Sequence, residues 1–265
     1  TACSSSLVAI IQGRKGLERR ESSLALCFGV NAMVDGRVFV VLSQAGMLSP
    51  DGRCKTFDAK ANGYVRGEGC GAVMLHPSVE GSLAKLVGHA INQDGRSNGL
   101  TAPNGPSQVK LIREASRGLG ASNCLQVLEA HGTGTSLGDP IEVQAVAESI
   151  GNGGLSALVM GSAKTNFGHT ETAAGVLGVL KLLLGMQRGS AAKHLHLSTL
   201  NDYIGTRLME GMSCVVPVEE IDLSDYGFCG VSSFGFSGTN VHLVLRERPL
   251  PNSGLVNSYI KWTST

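Results

Sequence analysis

The chain has 265 residues, which is enough for one large or two small domains with their own cores. Its formal net charge of +1 gives no strong field that would favour nucleic acid or a membrane surface as a partner. Seven cysteines without a CxxC pair are typical of reduced thiols in a cytosolic protein, and the first residues lack the features of a signal peptide, so we expect a cytoplasmic location.

The first part of the chain predicts one helix and several short strands. Residues 4–19 combine an apolar and a polar side, as a helix does, and residues 23–30 form a short apolar run that predicts a buried strand. Residues 38–42 are apolar and β-branched, which favours a strand. Residues 69–76 and 83–91 predict two further strands.

Helices and strands alternate in the rest of the chain. Pro106 opens a predicted helix, and residues 125–129 and 157–161 predict strands that lead into loops. Residues 172–187 predict a buried helix, because their apolar stretch is too short to span a bilayer. This alternation predicts an α/β fold with a covered sheet.

A capping motif marks the start of a further helix, which we expect to end near Ile150. Asp139 stands at the predicted N-cap, Pro140 at the first helical position, and Glu142 three residues after the cap. This spacing predicts a capping box, in which both acids hold backbone N–H groups of the first turn.

Two pairs of polar residues remain open to more than one interpretation. His194 and His196 would share one face of a strand and could bind a metal, but no third ligand is evident, so we favour an ordinary strand and expect no metal site. Arg66 and Glu68 could form either a buried or an exposed ion pair.

One cysteine and two histidines carry the candidate chemistry. Cys3 lies at the predicted start of the first helix, where free N–H groups and the helix dipole favour the nucleophilic thiolate. His131 and His169 each follow a predicted strand on a glycine-containing loop. Together they suit acyl transfer through a thioester, whereas Cys3 alone could equally be a small core residue.

Five segments carry a family resemblance. They are TACSSSLVA (1–9), FDAKANGYVRGEG (57–69), EAHGTGTSLGDPIE (129–142), SAKTNFGHTETAAG (162–175) and SSFGFSGTNVH (232–242). In this order they resemble the β-ketoacyl synthase family, specifically the ketosynthase domains of type I polyketide synthases. The match extends from residue 1 to about residue 248.

The resemblance implies the thiolase-like fold, in which two related α/β halves form layers of helix and sheet. Residues 1–80 would then be the remainder of the N-terminal half, residues 81–248 the C-terminal half, and residues 249–265 the start of a linker. The resemblance also places a helix near residues 38–42, which leaves that segment open between strand and helix.

The resemblance further implies that the N-terminal part of the first half is missing. We therefore expect Leu7, Val8, Ile11 and the strand at 23–30 to lose part of their cover. The chain expressed alone would then be insoluble or loosely folded.

The resemblance assigns the covalent and electrostatic roles to particular residues. Cys3 would accept the acyl group, and the backbone N–H groups of Cys3 and Phe236 would form an oxyanion hole. His131 and His169 would stabilise the enolate that forms when a malonyl-type thioester loses carbon dioxide. Lys164 would fix the tautomer and orientation of a nearby imidazole, with an ordinary surface lysine as the alternative.

The same family assigns Thr133 and Thr135 to the phosphopantetheine arm of an acyl carrier protein, although loop capping would also explain them. The implied reaction is a decarboxylative Claisen condensation in polyketide biosynthesis. It needs no cofactor bound by this domain, because the substrates arrive on the carrier's arm. The family also implies a homodimer. The alternatives are a fatty acid synthase ketosynthase, a non-catalytic ketosynthase-like partner, and an inert partial chain.

Overall fold

The computed structural model describes residues 1–78, 81–95, 102–119, 125–150, 157–209, 212–223 and 226–247, so the predicted linker at 249–265 lies outside the described residues. The helices are α1 (Ser5–Glu18), α2 (Arg37–Gln44), α3 (Gly105–Ser116), α4 (Gly138–Ile150), α5 (Lys164–Phe167), α6 (Ala174–Arg188) and α7 (Asp202–Met209). The strands are β1 (Ala25–Asn31), β2 (Gly69–Leu75), β3 (Ala84–Gln93), β4 (Leu125–Glu129), β5 (Leu158–Gly161), β6 (Ser190–Ala191), β7 (Cys214–Val215), β8 (Ile221–Asp222), β9 (Phe228–Phe234) and β10 (Thr239–Glu247).

A six-stranded mixed sheet lies at the centre, with the strand order β3-β10-β9-β4-β5-β7. β10 pairs antiparallel with both β3 and β9, whereas the pairs from β9 through β4 and β5 to β7 are parallel. Most residues of β4, β5, β9 and β10 are buried, as expected for strands covered on both faces. The predicted α/β alternation is thus confirmed.

Helices cover both faces of this sheet. On one face, α1 and α6 contribute to a core cluster that includes Leu7, Ile11, Val179, Val231 and Leu243. On the other face, α3 and α4 contribute to a second cluster that includes Ile112, Leu128, Val143, Met160 and Val244. Among the described residues, no helix is both long and apolar enough to cross a membrane.

A second, two-stranded sheet packs on the far side of α1 and α6. β1 and β2 pair antiparallel, with Ala25 opposite Leu75. Gly29 lets this sheet approach closely, because a Cβ there would lie 2.7 Å from the Cβ of Ser6 and 2.9 Å from Cγ1 of Val176. The order of layers is therefore sheet, helix, sheet, helix, which is the layered arrangement that the resemblance implies.

The expectation of a fully buried strand at 23–30 is wrong for half of its side chains. Leu26, Phe28 and Val30 are 52–56% exposed, because only the opposite face of β1 packs against α1 and α6, and no other described element covers this face. The expected loss of cover is also wrong for Leu7 and Ile11, whose exposed fraction is 0% in the first core cluster.

Two local predictions need correction. Residues 38–42 lie within α2 and not in a strand, since no described strand is available to pair with them and a helix satisfies its backbone groups internally. The segment of His194 and His196 is irregular beyond the two residues of β6, and the left-handed backbone of His196 (φ 64°) is incompatible with a strand.

His242 on β10 predicts a loss of stability in acid. Its Nδ1 lies 2.9 Å from Oγ of Ser232, its Nε2 is buried without a partner, and burial lowers its pKa to about 4. The folded protein therefore keeps a neutral imidazole, whereas the unfolded chain takes up a proton below pH 6.5. Between pH 6.5 and 4 we expect this residue to cost about 3 kcal/mol of stability, since one pKa unit corresponds to about 1.4 kcal/mol.

The measurement is the free energy of unfolding against pH. His242→Asn should flatten the dependence between pH 6.5 and 4 relative to the unmodified protein, whatever it does to absolute stability. Ser232→Ala is the control, because it keeps the buried imidazole and should keep most of the slope. An unchanged slope in His242→Asn would contradict the assignment.

Candidate active site

Cys3 sits on a tight turn at the start of α1, as predicted. Residues 2–4 form a single 3-10 turn, and Ala2 adopts a left-handed backbone (φ 47°), which is costly for a residue with a Cβ. The turn is fixed by Ser5, whose hydroxyl donates to the carbonyl of Ala2 (2.7 Å), and by Ser233, whose hydroxyl donates to the carbonyl of Cys3 (2.7 Å). These bonds hold the thiol, which is 9% exposed, at the end of the helix.

The expected bias towards a resting thiolate is wrong, because burial raises the pKa of the Cys3 thiol above its ordinary value. The positive charge of Lys164 and the backbone N–H groups of Phe236 and Cys3 lower that pKa but do not overcome burial. The same groups face the sulfur and would stabilise negative charge once it forms.

His169 lies beside the thiol, with its Nε2 3.1 Å from Sγ of Cys3. Its Nδ1 accepts a hydrogen bond from the backbone N–H of Glu171 (3.1 Å), so a neutral ring carries its proton on Nε2. Burial, followed by the charge of Lys164, lowers the pKa of His169 well below its ordinary value. His169 is therefore a neutral hydrogen-bond donor aimed at the reacting sulfur.

His131 is fixed in the same tautomer by a different strand. Its Nδ1 accepts from the backbone N–H of Phe234 (3.3 Å), and burial and then Lys164 lower its pKa well below the ordinary value. The rings of His131 and His169 lie 5.6 Å apart, nearly perpendicular at 86°. Two neutral imidazoles thus have their Nε2–H groups available on the cavity side, since backbone amides occupy both Nδ1 atoms.

Lys164 is 6% exposed, which excludes the ordinary surface lysine. Burial lowers its pKa, while Glu129 and Glu142 raise it. The expectation that Lys164 fixes an imidazole tautomer is wrong, because the backbone N–H groups of Glu171 and Phe234 do this. Lys164 acts on the site through its charge.

The predicted capping box is also wrong in its partners. Asp139 accepts from the backbone N–H groups of Phe57 (2.9 Å) and Gly134 (3.1 Å), not from a turn of its own helix. Glu142 accepts from His131 (2.7 Å) and Gly132 (2.8 Å). Burial raises the pKa of Asp139 to about 6 and that of Glu142 to about 7. The two acids therefore fix the loop that presents His131.

Arg66 forms its ion pair with Glu171 and not with Glu68. The guanidinium contacts both carboxylate oxygens of Glu171, at 2.5 and 3.1 Å, while Glu68 accepts from the backbone N–H of Met33. Because the N–H of Glu171 holds Nδ1 of His169, this ion pair supports the orientation of that ring.

A cavity of about 260 Å³ opens onto these groups. Of the predicted site residues, it is lined by Cys3, His131, His169, Thr133, Thr135 and Phe236. The hydroxyls of the two threonines lie 3.2 Å apart, and that of Thr135 accepts from the N–H of Gly138, so loop capping and cavity lining occur together. Phe236 is 51% exposed and its N–H faces the thiol.

His194 and His196 do not form a metal site. His194 stacks on Phe57 with ring centroids 5.4 Å apart, and its Nε2 bonds to the carbonyl of Thr56 (3.1 Å). Within the described part of the chain, no group of three or more His, Cys, Asp or Glu side chains could hold a metal ion.

Two family descriptions match the chain in sequence order. The first is the beta-ketoacyl synthase N-terminal domain, over residues 1–80, and the second is the beta-ketoacyl synthase C-terminal domain, over residues 83–198. The chain belongs to the β-ketoacyl synthase family.

Polyketide synthases are among the similar proteins. The ketosynthase chain is 43% identical to a phenolphthiocerol/phthiocerol polyketide synthase of Mycobacterium tuberculosis, over 96% of its own length and 14% of that protein. It is 45% identical to an erythronolide synthase of Saccharopolyspora erythraea, over 94% of its length and 7% of that protein. The chain thus spans a small share of these relatives.

Solved ketosynthases share the fold. A ketosynthase from module 6 of the bacillaene synthase of Bacillus subtilis 168 matches with a TM-score of 0.86 and 38% identity, over 94% of this chain and 47% of that one. An oxazolomycin ketosynthase domain of Streptomyces albus JA3453 matches with a TM-score of 0.89 and 31% identity, over 96% and 47%. The thiolase-like fold of this ketosynthase is therefore shown.

Several residues that build the site were not predicted. Glu171 and Glu129 are the main ones. Glu129 accepts from the backbone N–H of Ala163, next to Lys164, and its other oxygen lies 2.9 Å from Nζ of Lys181. The available signal was an acidic residue at the end of a predicted buried strand, where a charge needs buried partners.

Proposed function

We propose that this ketosynthase joins two carrier-bound thioesters by decarboxylative Claisen condensation in polyketide biosynthesis. One observation carries the proposal. Sγ of Cys3 lies 3.1 Å from Nε2 of His169, in a cavity that His131 also lines, and both imidazoles have their Nδ1 atoms occupied. A nucleophile and two neutral donors in one buried site fit this chemistry.

The first half-reaction is acyl transfer. The thiolate of Cys3 attacks the thioester carbonyl of the acyl donor, the carbon–sulfur bond to the carrier breaks, and the carrier thiol leaves with a proton. Negative charge on the tetrahedral oxygen would be held by the backbone N–H groups of Cys3 and Phe236, which already face the sulfur.

The second half-reaction forms the carbon–carbon bond. A malonyl-type thioester loses carbon dioxide, and its electron pair becomes an enolate whose oxygen would accept from Nε2–H of His131 and His169. The enolate carbon attacks the acyl-Cys3 carbonyl, and the thiolate leaves. These steps use only side chains and amides of the chain, so we propose that this domain needs no bound cofactor.

The family relationship supports the remaining partners. An acyl carrier protein would deliver both thioesters on its phosphopantetheine arm, which would pass Thr133 and Thr135 at the cavity wall. We propose a homodimer and a cytoplasmic location. Polyketide synthases among the relatives favour the polyketide pathway over the fatty acid alternative.

The test uses the full-length protein with an acyl thioester and a radiolabelled malonyl-carrier protein. The expected results are an acyl adduct on the peptide that contains Cys3, release of labelled carbon dioxide, and a β-ketoacyl product on the carrier. A folded protein that forms no adduct and releases no carbon dioxide would refute the proposal.

A further inference from the structure

One wall of the catalytic cavity is polar and has no part in the proposed chemistry. Gln108 of α3 lines the cavity that contains Cys3, and it is 1% exposed. Its side-chain oxygen Oε1 is buried and accepts no hydrogen bond. Leaving a buried amide oxygen without a donor costs about 1–3 kcal/mol, so such groups are rare in folded proteins.

Gln108 lies on a well-anchored first turn of α3. The side chain of Asn104 caps the helix by accepting from the N–H of Ser107 (3.1 Å), and the N–H of Gln108 donates to the carbonyl of Asn104 (3.1 Å). Asn92 and Asn104 tie this turn to the end of β3, through the carbonyls of Ser107 (2.7 Å) and Asp94 (2.9 Å). The turn is therefore pinned where it meets the cavity.

The neighbouring polar groups on this wall already bond to one another. Asn240 donates through Nδ2 to Oδ1 of Asp94 (2.7 Å), and both residues line the cavity. Burial raises the pKa of Asp94, and this hydrogen bond offsets part of the rise. Gln108 differs from this pair because its Oε1 has no such donor.

We infer that Oε1 of Gln108 accepts a hydrogen bond from an N–H or O–H group of the thioester that enters the cavity. This inference rests on the proposed function, which supplies a thioester as the occupant. A bound donor would satisfy an oxygen that the protein leaves unpaired, so the ligand gains affinity without breaking an existing hydrogen bond. The donor belongs either to an amide of the carrier's arm or to a hydroxyl on the acyl chain.

Gln108→Met tests this assignment, because it keeps the length of the side chain and removes the acceptor. The matched control is Gln126→Met on β4, since Oε1 of Gln126 is also buried without a partner but lies outside the cavity lining. The readout is kcat/KM for acyl loading of Cys3 in the full-length protein, together with the melting temperature of each variant.

Four donors separate the two sources of the hydrogen bond: butanoyl and 3-hydroxybutanoyl groups, each on pantetheine and on ethanethiol, which has no amide. Gln108→Met should reduce kcat/KM about tenfold for the donors that carry the recognised group, and Gln126→Met should reduce it for none. A loss on both pantetheine thioesters identifies an arm amide. A loss on both hydroxyacyl thioesters identifies the acyl hydroxyl.

Because the removed oxygen is unsatisfied, Gln108→Met should melt no lower than the unmodified protein. Equal kcat/KM for all four donors would overturn the inference, and so would an equal loss for all four, including butanoyl ethanethiol. Either result would leave the proposed function intact, because the unmodified protein would still load Cys3. Failure of the unmodified protein to load any thioester would overturn both.

Discussion

Cys3→Ala is expected to abolish acyl loading of this ketosynthase, with a loss on the order of 10⁴–10⁶-fold, as when an enzyme loses its only nucleophile. The sulfur is the atom that forms the thioester. The backbone N–H groups of Cys3 and Phe236, the charge of Lys164 and Nε2 of His169 all act on that sulfur. Without it, none of these groups has a covalent partner to stabilise.

Intact-protein mass spectrometry after incubation with an acyl thioester measures this loss. Cys70→Ala is the matched control, because it removes an exposed thiol on β2 outside the cavity lining and should load like the unmodified protein. An acyl adduct that persists on another residue of Cys3→Ala, at the unmodified rate, would rule out Cys3 as the nucleophile.

The sequence predicts the catalytic groups better than it predicts their supports. The turn at Cys3 and the strands before His131 and Lys164 follow from local patterns, because apolar runs and glycine-containing loops are encoded in short segments. The tautomers do not follow from such patterns. They depend on the backbone N–H groups of Glu171 and Phe234, and the latter reaches His131 from a strand about 100 residues away.

Asp139 and Glu142 show why the same sequence signal can mislead. Their spacing matches a capping box, and a box would satisfy N–H groups within one turn of helix. The loop of His131 carries its own unpaired N–H groups and packs against both acids, so it takes the carboxylates instead. Tertiary contact therefore overrides the local motif.

The exposed face of β1 shows a similar dependence on context. Leu26, Phe28 and Val30 suggest a buried strand by composition, and alternate positions, such as Cys27, are buried. Which face is covered depends on neighbouring elements, and within the described residues those elements lie on one side only. Composition identifies the strand but not its partners.

His131→Ala and His169→Ala should each slow the release of carbon dioxide from malonyl-carrier protein by about 10²–10³-fold. Each variant removes one N–H donor to the enolate oxygen in a buried site, where such a donor is worth about 3–4 kcal/mol. His→Gln at either position should recover part of the rate, because its amide N–H can still donate. Burial and the charge of Lys164 keep both imidazoles neutral, so the rate should show no titration near pH 6.5.

The two histidines should differ in acyl loading, which separates their roles. Nε2 of His169 lies 3.1 Å from Sγ of Cys3, so His169→Ala should also slow loading, whereas His131→Ala should load nearly normally because no hydrogen bond joins its ring to the sulfur. His76→Ala is the control, since this exposed histidine follows β2 outside the cavity lining and should leave both rates unchanged. Release of labelled carbon dioxide at the unmodified rate in both His131→Ala and His169→Ala would show that the enolate is stabilised elsewhere.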